Sequence, residues 1–285
     1  MSSAPPPPPL PPVVASSTPP TGGKLIGAAW QALRQDRELI AMPVIGAGVA
    51  LAAIAPIALA GVALPSDATA GFVVLGVLMM VVGTVISTFF AVALAAGAHV
   101  RLDGGSPTIG SSVGVAWSRR WTVVRWALMS VTVGIVLQVL EDKLKNAGTI
   151  VRILGGAAWA MASFFTIPVI AVNAVGPIEA LKISSTTFRQ RWSSAARVQL
   201  RTGLYALGIV AGVVVCFVVV VALASVSPAL AIVVGVLLGA MCLAAMLVLG
   251  AVSAYSRVVL YRYASGLATP GFSTSSLDAA VTAAR

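Results

Sequence analysis

The sequence predicts an all-α fold: a polytopic membrane bundle of six transmembrane helices, joined by short helices that lie at the membrane surface. Three observations predict this architecture. The 285 residues are 59% hydrophobic and only 9% charged, whereas a soluble domain carries about 25% charged residues. Six apolar stretches are as long as the roughly 20 residues that cross a bilayer. Finally, positively charged residues collect in alternate connections between these stretches, a pattern typical of membrane proteins.

The six predicted spans cover residues 39–64, 70–98, 121–140, 150–175, 200–226 and 229–256. In lipid every backbone N–H and C=O group must be paired within the protein, and an α-helix pairs them within one segment. Pro43, Pro56 and Pro168 fall inside the first and fourth spans, where we expect kinks that neighbouring helices accommodate. Cys216 and Cys242 also lie in apolar spans, and we interpret both as small buried hydrophobic residues.

The distribution of charge predicts the orientation of the bundle. With the N-terminus inside, fifteen of the 18 lysine and arginine residues lie on the cytoplasmic side, and Lys143, Lys145 and Arg152 lie outside. The net charge of +10 therefore reflects membrane topology rather than a nucleic-acid partner. Both termini are predicted to be cytoplasmic, and the first span is predicted to be an uncleaved anchor.

Short amphipathic helices are predicted before each pair of spans, over residues 24–39, 106–121 and 177–193. In the third and clearest of them, the apolar stripe consists of Ile178, Leu181, Ser185, Phe188 and Trp192. Each segment contains an apolar residue followed by basic residues, as in LRQDR, WSRRW and FRQRW. This similarity predicts three parallel repeats, each a surface helix followed by a hairpin, beginning near residues 24, 106 and 177.

Composition divides the chain into three parts. Residues 1–23 hold nine of the 17 prolines, which predicts a disordered cytoplasmic tail with local polyproline II character. Residues 24–266 form the predicted membrane domain. Residues 267–285 are mostly small and polar, which predicts a second flexible tail in the cytoplasm.

Few residues could carry chemistry. All eight acidic residues are assigned outside the hydrocarbon, so no ionisable group that couples transport to protons or ions is evident at membrane depth. His99 is the single histidine, and Asp103 follows it by about one helical turn, so a helix could present both on one face. One histidine and one carboxylate do not complete a metal site, and we interpret the pair as the polar end of a span. The sequence therefore predicts no catalytic, metal-binding or cofactor-binding residue.

Two sets of residues are candidates for binding. Basic residues near the third surface helix either set the topology or contact anionic lipid headgroups, at about 1 kcal/mol per residue. This set, with one tryptophan, comprises Arg189, Arg191, Trp192, Arg197 and Arg201. Polar side chains within the spans are candidates for an intramembrane polar site, although such residues more often join helices by hydrogen bonds. They are Thr84, Ser87, Thr88 and Asn173.

Four stretches carry a resemblance to a known family: WQALRQDREL at 30–39, RWALMSVTVG at 125–134, GPIEALKIS at 176–184 and YRYASG at 261–266. Over roughly residues 24–272 the chain resembles an uncharacterised bacterial and archaeal family of six-helix membrane proteins. More distantly, it is similar to the membrane domain fused to some glycerophosphodiester phosphodiesterases. The resemblance implies a multi-pass protein of a bacterial inner membrane, and its motifs carry over no catalytic residue.

These observations favour a non-enzymatic protein that acts as a structural or accessory component of a membrane assembly. The expected partners are the lipid bilayer, anionic lipids in particular, and another membrane protein or a second copy of the chain. The alternative is a transporter or permease for an apolar or lipidic solute, because prolines interrupt two of the spans and hydroxyl and amide groups lie within the bundle. An intramembrane enzyme is a third hypothesis, for which only His99 and Asp103 are available.

Overall fold

The structure, a computed structural model, describes residues 29–31, 34, 36–144, 147–190, 207–208, 211–218, 220–222, 227–267 and 269. Within these ranges the chain forms no strand, and its main helices follow one another in the order given next. They are α1 (Arg37–Val62), α2 (Thr69–Leu102), α3 (Ile109–Ser118), α4 (Arg120–Leu144), α5 (Gly148–Ala162), α6 (Thr166–Asn173), α7 (Pro177–Gln190) and α8 (Pro228–Ala264). The all-helical prediction is confirmed for the part of the chain that the structure describes.

Five helical segments among the described residues are long and apolar enough to cross a membrane. They are Glu38–Val62, Thr69–Leu102, Arg120–Leu144, Gly148–Asn173 and Ala229–Ala264. These lengths and compositions are those of a multi-pass membrane protein. Most of the predicted span at 200–226 lies outside the described residues, and Ala211–Ala222 forms a shorter apolar helix there. A sixth crossing and the threefold repeat therefore stay predictions, as do the two tails.

The buried core lies at one end of the bundle, which we call the polar end. It is defined by the charged residues around it: Asp36, Arg101, Asp103, Arg119 and Arg262. The core there is built from the start of α1, the last turns of α2, helix α6 and the last turns of α8. At the opposite end the helices expose large apolar side chains, among them Val62, Val74, Leu154 and Val236. An apolar surface of this kind suits contact with lipid tails, which are as apolar as the side chains themselves.

Helix α2 is the centre of the bundle and contacts α1, α3, α4, α6 and α8. At Gly97 three helices come so close that a side chain would not fit. A Cβ atom there would lie 2.7 Å from Leu39 Cδ2 and 2.7 Å from Ser112 Oγ. Leu39 is fully buried and Ser112 nearly so, which leaves these neighbours little room to move. The glycine is therefore needed for the close approach of α1 and α3 to α2.

We expect Gly97→Ala to destabilise the protein by about 1–3 kcal/mol, because the added methyl group overpacks a filled core. The thermal unfolding midpoint of the purified protein in mild detergent measures this effect. Gly76→Ala, in the same helix, is the matched control, since a Cβ atom at Gly76 meets nothing within 4 Å. An equal midpoint for the two variants would show that the polar end is not closely packed around Gly97.

The fourth predicted span is broken rather than kinked. Helix α5 ends at Ala162 and α6 begins at Thr166. Pro168 explains the break, because it lacks an N–H group and its ring clashes with the carbonyl four residues earlier. The groups freed by the break are bound by a side chain from α7: Phe165 N–H donates to Ser184 Oγ at 2.9 Å, and Ser184 Oγ donates to the Ala162 carbonyl at 2.6 Å. By contrast, Pro43 and Pro56 lie inside the continuous helix α1.

The surface helices α3 and α7 form where the sequence predicts them, and small residues beside the apolar stripes are buried together with part of those stripes. In α7 the buried residues are Ala180, Ser184 and Phe188, whereas Ile178 from the predicted stripe is 64% exposed. In α3 Ser112 and Ala116 are buried, and the large Trp117 is exposed. Small residues allow helices to approach closely, while large apolar residues are tolerated on a surface that faces lipid. Phe188 of the predicted stripe is buried and Leu181 packs against the core, so the stripe of α7 is divided between the protein core and the exposed surface.

Candidate functional site

The charged centre of the polar end is a cluster of His99, Asp103 and Arg262, which we call the Arg262 cluster. Arg262 lies in the last turn of α8 and is only 2% exposed. Its Nη2 donates to Asp103 Oδ1 at 2.6 Å. Its Nη1 lies 2.6 Å from His99 Nδ1 and 3.3 Å from the His99 carbonyl oxygen. The cluster thus joins the end of α2 to the end of α8 through charge-assisted hydrogen bonds.

The residues around the end of α2 position the Asp103 carboxylate beside Arg262. Asp103 is the C-cap residue of α2, and its backbone N–H donates to the carbonyl of His99 at 3.1 Å. Gly104 follows with φ +81°, a left-handed conformation that glycine adopts without steric cost. The chain therefore turns away directly after Asp103, and the carboxylate remains beside α8. Arg262 also lies where a cation is favourable, since the carbonyl ends of two helices meet there.

The imidazole of His99 is oriented by this arrangement. Because the guanidinium of Arg262 can only donate, Nδ1 of His99 acts as the acceptor, and the proton of the neutral ring is on Nε2. Nε2 lies 3.6 Å from Asp103 Oδ2, on the same helix. The two residues singled out in the sequence therefore do come together, and both of them contact Arg262.

The guanidinium of Arg262 lowers the pKa of the Asp103 carboxyl below its usual value, chiefly through the hydrogen bond to the charged form. A carboxyl group whose pKa is lower in the folded state stabilises the fold above its unfolded pKa of about 4. This contribution is lost as the pH falls through the lower, folded pKa. Acid should therefore weaken the attachment of α2 to α8.

We expect the unfolding midpoint of the wild-type protein to drop between about pH 5 and about pH 3 by more than that of Asp103→Asn. Asparagine has no proton to gain in this range, so the variant lacks this part of the pH dependence. Thermal unfolding in detergent at a series of pH values measures the difference. Parallel curves for the two proteins would mean that Asp103 and Arg262 are not paired in the folded state.

Other contacts tie the remaining helices together at the polar end. Glu38 Oε2 accepts the N–H of Ile109 at 2.5 Å, which places a carboxylate at the N-terminus of α3. Asp36 lies 3.9 Å from the guanidinium of Arg101. Arg119 donates to the Ile170 carbonyl, and Tyr261 donates to Asn173 Oδ1 at 3.2 Å. Polar groups that precede or end the spans are thus used to hold α1, α2, α3, α6 and α8 together.

The intramembrane polar candidates do not form one group. Thr84 Oγ1 donates to the Met80 carbonyl at 2.7 Å and Ser87 Oγ to the Thr84 carbonyl at 3.1 Å, both within α2, where Thr88 is buried. Thr84 lies about 22 Å before His99 along α2 at the usual helical rise. Asn173, by contrast, is at the polar end beside Tyr261. The structure therefore separates Asn173 from the other three, and a binding role for any of them stays a prediction.

Ser87 does line a cavity. This cavity of about 300 Å³ lies between α1, α2 and α8, and Gly46, Phe90 and Gly250 are among its lining residues. A second cavity of about 280 Å³ lies on the other side of the contact between α1 and α8, since Pro43 and Leu247 line both. These spaces are almost wholly apolar and suit hydrocarbon rather than a polar solute.

The candidate residues for anionic lipid fall mostly outside the described part of the chain. Arg189 lies on α7 and is exposed. Arg191, Trp192, Arg197 and Arg201 are not among the described residues. Their role in lipid binding stays a prediction.

The polar end offers hydrogen bonding and charge pairing. No group of three metal-binding side chains occurs within the ranges that the structure describes. Sequence reasoning identified His99 and Asp103 but missed Arg262, which is distant in the chain. A signal was present, since Arg262 interrupts the otherwise uncharged run VVLYRYAS near the end of an apolar segment. A charge in such a place needs a partner.

Comparison with known proteins yields one match. Neither the curated proteins nor the solved structures that were compared contain a match to this chain. The sequence model of a family of unknown function (DUF6159) matches residues 69–271, from the start of α2 to beyond the end of α8. This region contains the whole Arg262 cluster and more than half of the chain. The protein therefore belongs to DUF6159, a family of unknown function.

Proposed function

We propose that this membrane protein is a non-enzymatic component of a membrane assembly, with a structural or accessory role. The observation that supports this proposal most is that charged side chains of different helices bind one another at the polar end. His99, Asp103 and Arg262 occupy each other's hydrogen-bonding groups. Such a network rigidifies the helices that it joins and leaves fewer groups for a polar substrate.

The apolar spans support the same proposal. The cavity between α1, α2 and α8 has a single hydroxyl group, that of Ser87, among its lining residues within the described part of the chain. Ions and polar solutes need several polar or charged groups along their path. The exposed apolar faces of α1 and α8 suit contact with lipid or with a helix of another protein, either a different membrane protein or a second copy.

Site-specific photocrosslinking in intact membranes tests this proposal. Val44 in α1 is 57% exposed and lines the cavity between α1 and α8. A photoreactive residue there should give one discrete adduct of defined mass, and the same residue at Leu154 in α5 is the control. A chain that forms no adduct at either position, remains a monomer in mild detergent and turns over a substrate would contradict the proposal.

We also propose that the polar end faces the cytoplasm of a bacterial inner membrane, with both termini on that side. The excess of lysine and arginine in the connections at this end supports this orientation. With Cys216 and Cys242 replaced by alanine, Asp67→Cys should react with a membrane-impermeant thiol reagent in intact cells. Ser106→Cys should react only after the membrane is permeabilised. The reverse result would invert the orientation.

A transporter for an apolar or lipidic solute is the second candidate function. The two apolar cavities that flank the contact between α1 and α8 favour it. In reconstituted vesicles, the protein should then move a fluorescent lipid between the two leaflets. If Ala50→Trp, which places a large side chain in the first cavity, abolishes this movement, the result supports the candidate. Movement no faster than in protein-free vesicles would remove it.

A further inference from the structure

A third space in the bundle differs from the two cavities described above because a charged residue lies at its edge. This groove of about 430 Å³ is lined by α1, α2, α3 and α4. Its volume lies within the range of about 300–1,000 Å³ that is usual for small-ligand sites. The side chains that matter below are Val49, Phe89, Phe90, Trp117, Arg120 and Trp121. We refer to it as the Trp117 groove.

The walls of the Trp117 groove are apolar and partly aromatic. The ring of Phe89 packs edge to face against that of Phe90 at 5.4 Å and against that of Trp117 at 6.3 Å. Val49 of α1 completes the apolar wall. These contacts hold the aromatic rings in place along the groove, although the indoles of Trp117 and Trp121 remain 62% and 65% exposed. Hydrocarbon is the chemistry that fits such walls.

Arg120 lies at the edge of the groove with its guanidinium largely free to bind. The guanidinium lies 5.6 Å from the centre of the Trp117 ring, and Nη1 donates to the Trp117 carbonyl at 3.2 Å. No ion pair among the residues described includes Arg120. Because a guanidinium has five N–H donors, most of its donors remain available, in a planar array that matches phosphate oxygens.

The position of these residues along α4 places them at a membrane surface. Arg120 and Trp121 begin the span Arg120–Leu144. Tryptophan is enriched at the headgroup level, where its ring contacts hydrocarbon and its N–H contacts polar groups. Arg125, also exposed, follows Trp121 by one turn on the same face of α4 and adds a second positive charge. A headgroup phosphate at this level would meet positive charge directly above an apolar groove.

We propose that the Trp117 groove binds one anionic phospholipid, with its phosphate on Arg120 and an acyl chain beside Phe89, Phe90 and Val49. The charge complementarity of Arg120 and Arg125 favours an anionic headgroup over a zwitterionic one. The apolar volume of the groove provides space for the acyl chain. This site is formed by other residues than the predicted lipid contacts Arg189, Arg191, Trp192, Arg197 and Arg201, and the proposal does not depend on the proposed structural role.

Lipid retention by the full-length protein tests this proposal. We expect native mass spectrometry, after equilibration with equal amounts of phosphatidylglycerol and phosphatidylcholine of identical chains, to show one retained phosphatidylglycerol. Arg120→Gln should lower this retention about fivefold, the effect of removing one basic contact near a lipid headgroup. Lys182→Gln, which removes an exposed charge from α7, is the matched control and should change retention less than about twofold.

A second variant tests the proposed contact with the acyl chain rather than the contact with the headgroup. Val49→Trp fills the groove while leaving Arg120 intact, and it should also reduce retention. Inorganic phosphate, which has no acyl chain, should not displace the lipid. Retention unchanged in both Arg120→Gln and Val49→Trp would overturn the proposal. Displacement by inorganic phosphate, or a polypeptide retained in place of lipid, would overturn it as well.

Discussion

Asp103→Ala is expected to destabilise the protein by about 2–4 kcal/mol, a large effect for a side chain that is 55% exposed. The reason is the position of Arg262, which is almost completely buried. Removal of the carboxylate takes away the ion pair that Asp103 makes with this buried guanidinium, and a buried charge that loses such a pair is costly. Thermal or denaturant unfolding in detergent measures the loss.

Two further variants separate charge pairing from packing. Arg262→Met removes the buried charge and leaves Asp103 accessible to water, so we expect a smaller loss of about 1–2 kcal/mol. The double variant should be more stable than Asp103→Ala alone, because it no longer buries a charge that has lost its ion pair with Asp103. If the losses of the two single variants simply add in the double variant, the two residues are not coupled and the Arg262 cluster does not exist in the folded protein.

Ser184→Ala is expected to cost about 2–5 kcal/mol, although it removes only one oxygen atom. That hydroxyl binds both backbone groups freed by the break between α5 and α6: the N–H of Phe165 and the carbonyl of Ala162. A buried backbone group that loses its partner costs about 1–3 kcal/mol, and of these two groups the Phe165 N–H is buried and the Ala162 carbonyl is partly buried. Ser184 is fully buried, and Phe164 and Phe188 nearby are buried as well, so we expect no water to take the place of the hydroxyl.

The neighbouring serine is the matched control. Ser185 donates to the Lys182 carbonyl within its own helix, so Ser185→Ala should change the unfolding midpoint little. Amide hydrogen exchange gives a second measurement, because Ser184→Ala should speed exchange at Phe165 in particular. Unchanged exchange at this amide would show that Ser184 is not its acceptor.

The spans could be predicted because hydropathy reports directly on each segment. Five predicted spans correspond to apolar helices of the structure, although α2 and α8 extend further, to Leu102 and Ala264. The hydropathy pattern placed the ends of these two helices too early, because the polar residues of their last turns have low hydropathy. Those residues stay helical because the contacts at the polar end pair them, a property that a hydropathy profile does not include.

The site was predicted only in part. The spacing of His99 and Asp103 showed that one helix face would carry both. Nothing in that spacing indicated Arg262, which approaches from the other end of the chain, or Ser184, which lies outside the apolar stripe named for its helix. For α3 and α7 the periodicity predicted the helices correctly. It did not indicate that small residues such as Ser112 and Ser184 would be buried, because close packing favours small residues whatever their polarity.

By itself, the sequence determined the class of protein: apolar helices long enough to span a membrane, with surface helices between them and basic residues in alternate connections. These are properties of single segments, and the transfer of each segment from water to lipid depends mainly on its own composition. Only the tertiary structure decided that Arg262 pairs with Asp103 and that Ser184 binds the backbone groups freed by the break in a span. It alone also decided that Trp117 and Arg120 line one groove. Hydrogen bonds and contacts are short-ranged and directional, so they depend on how separate helices are placed against one another.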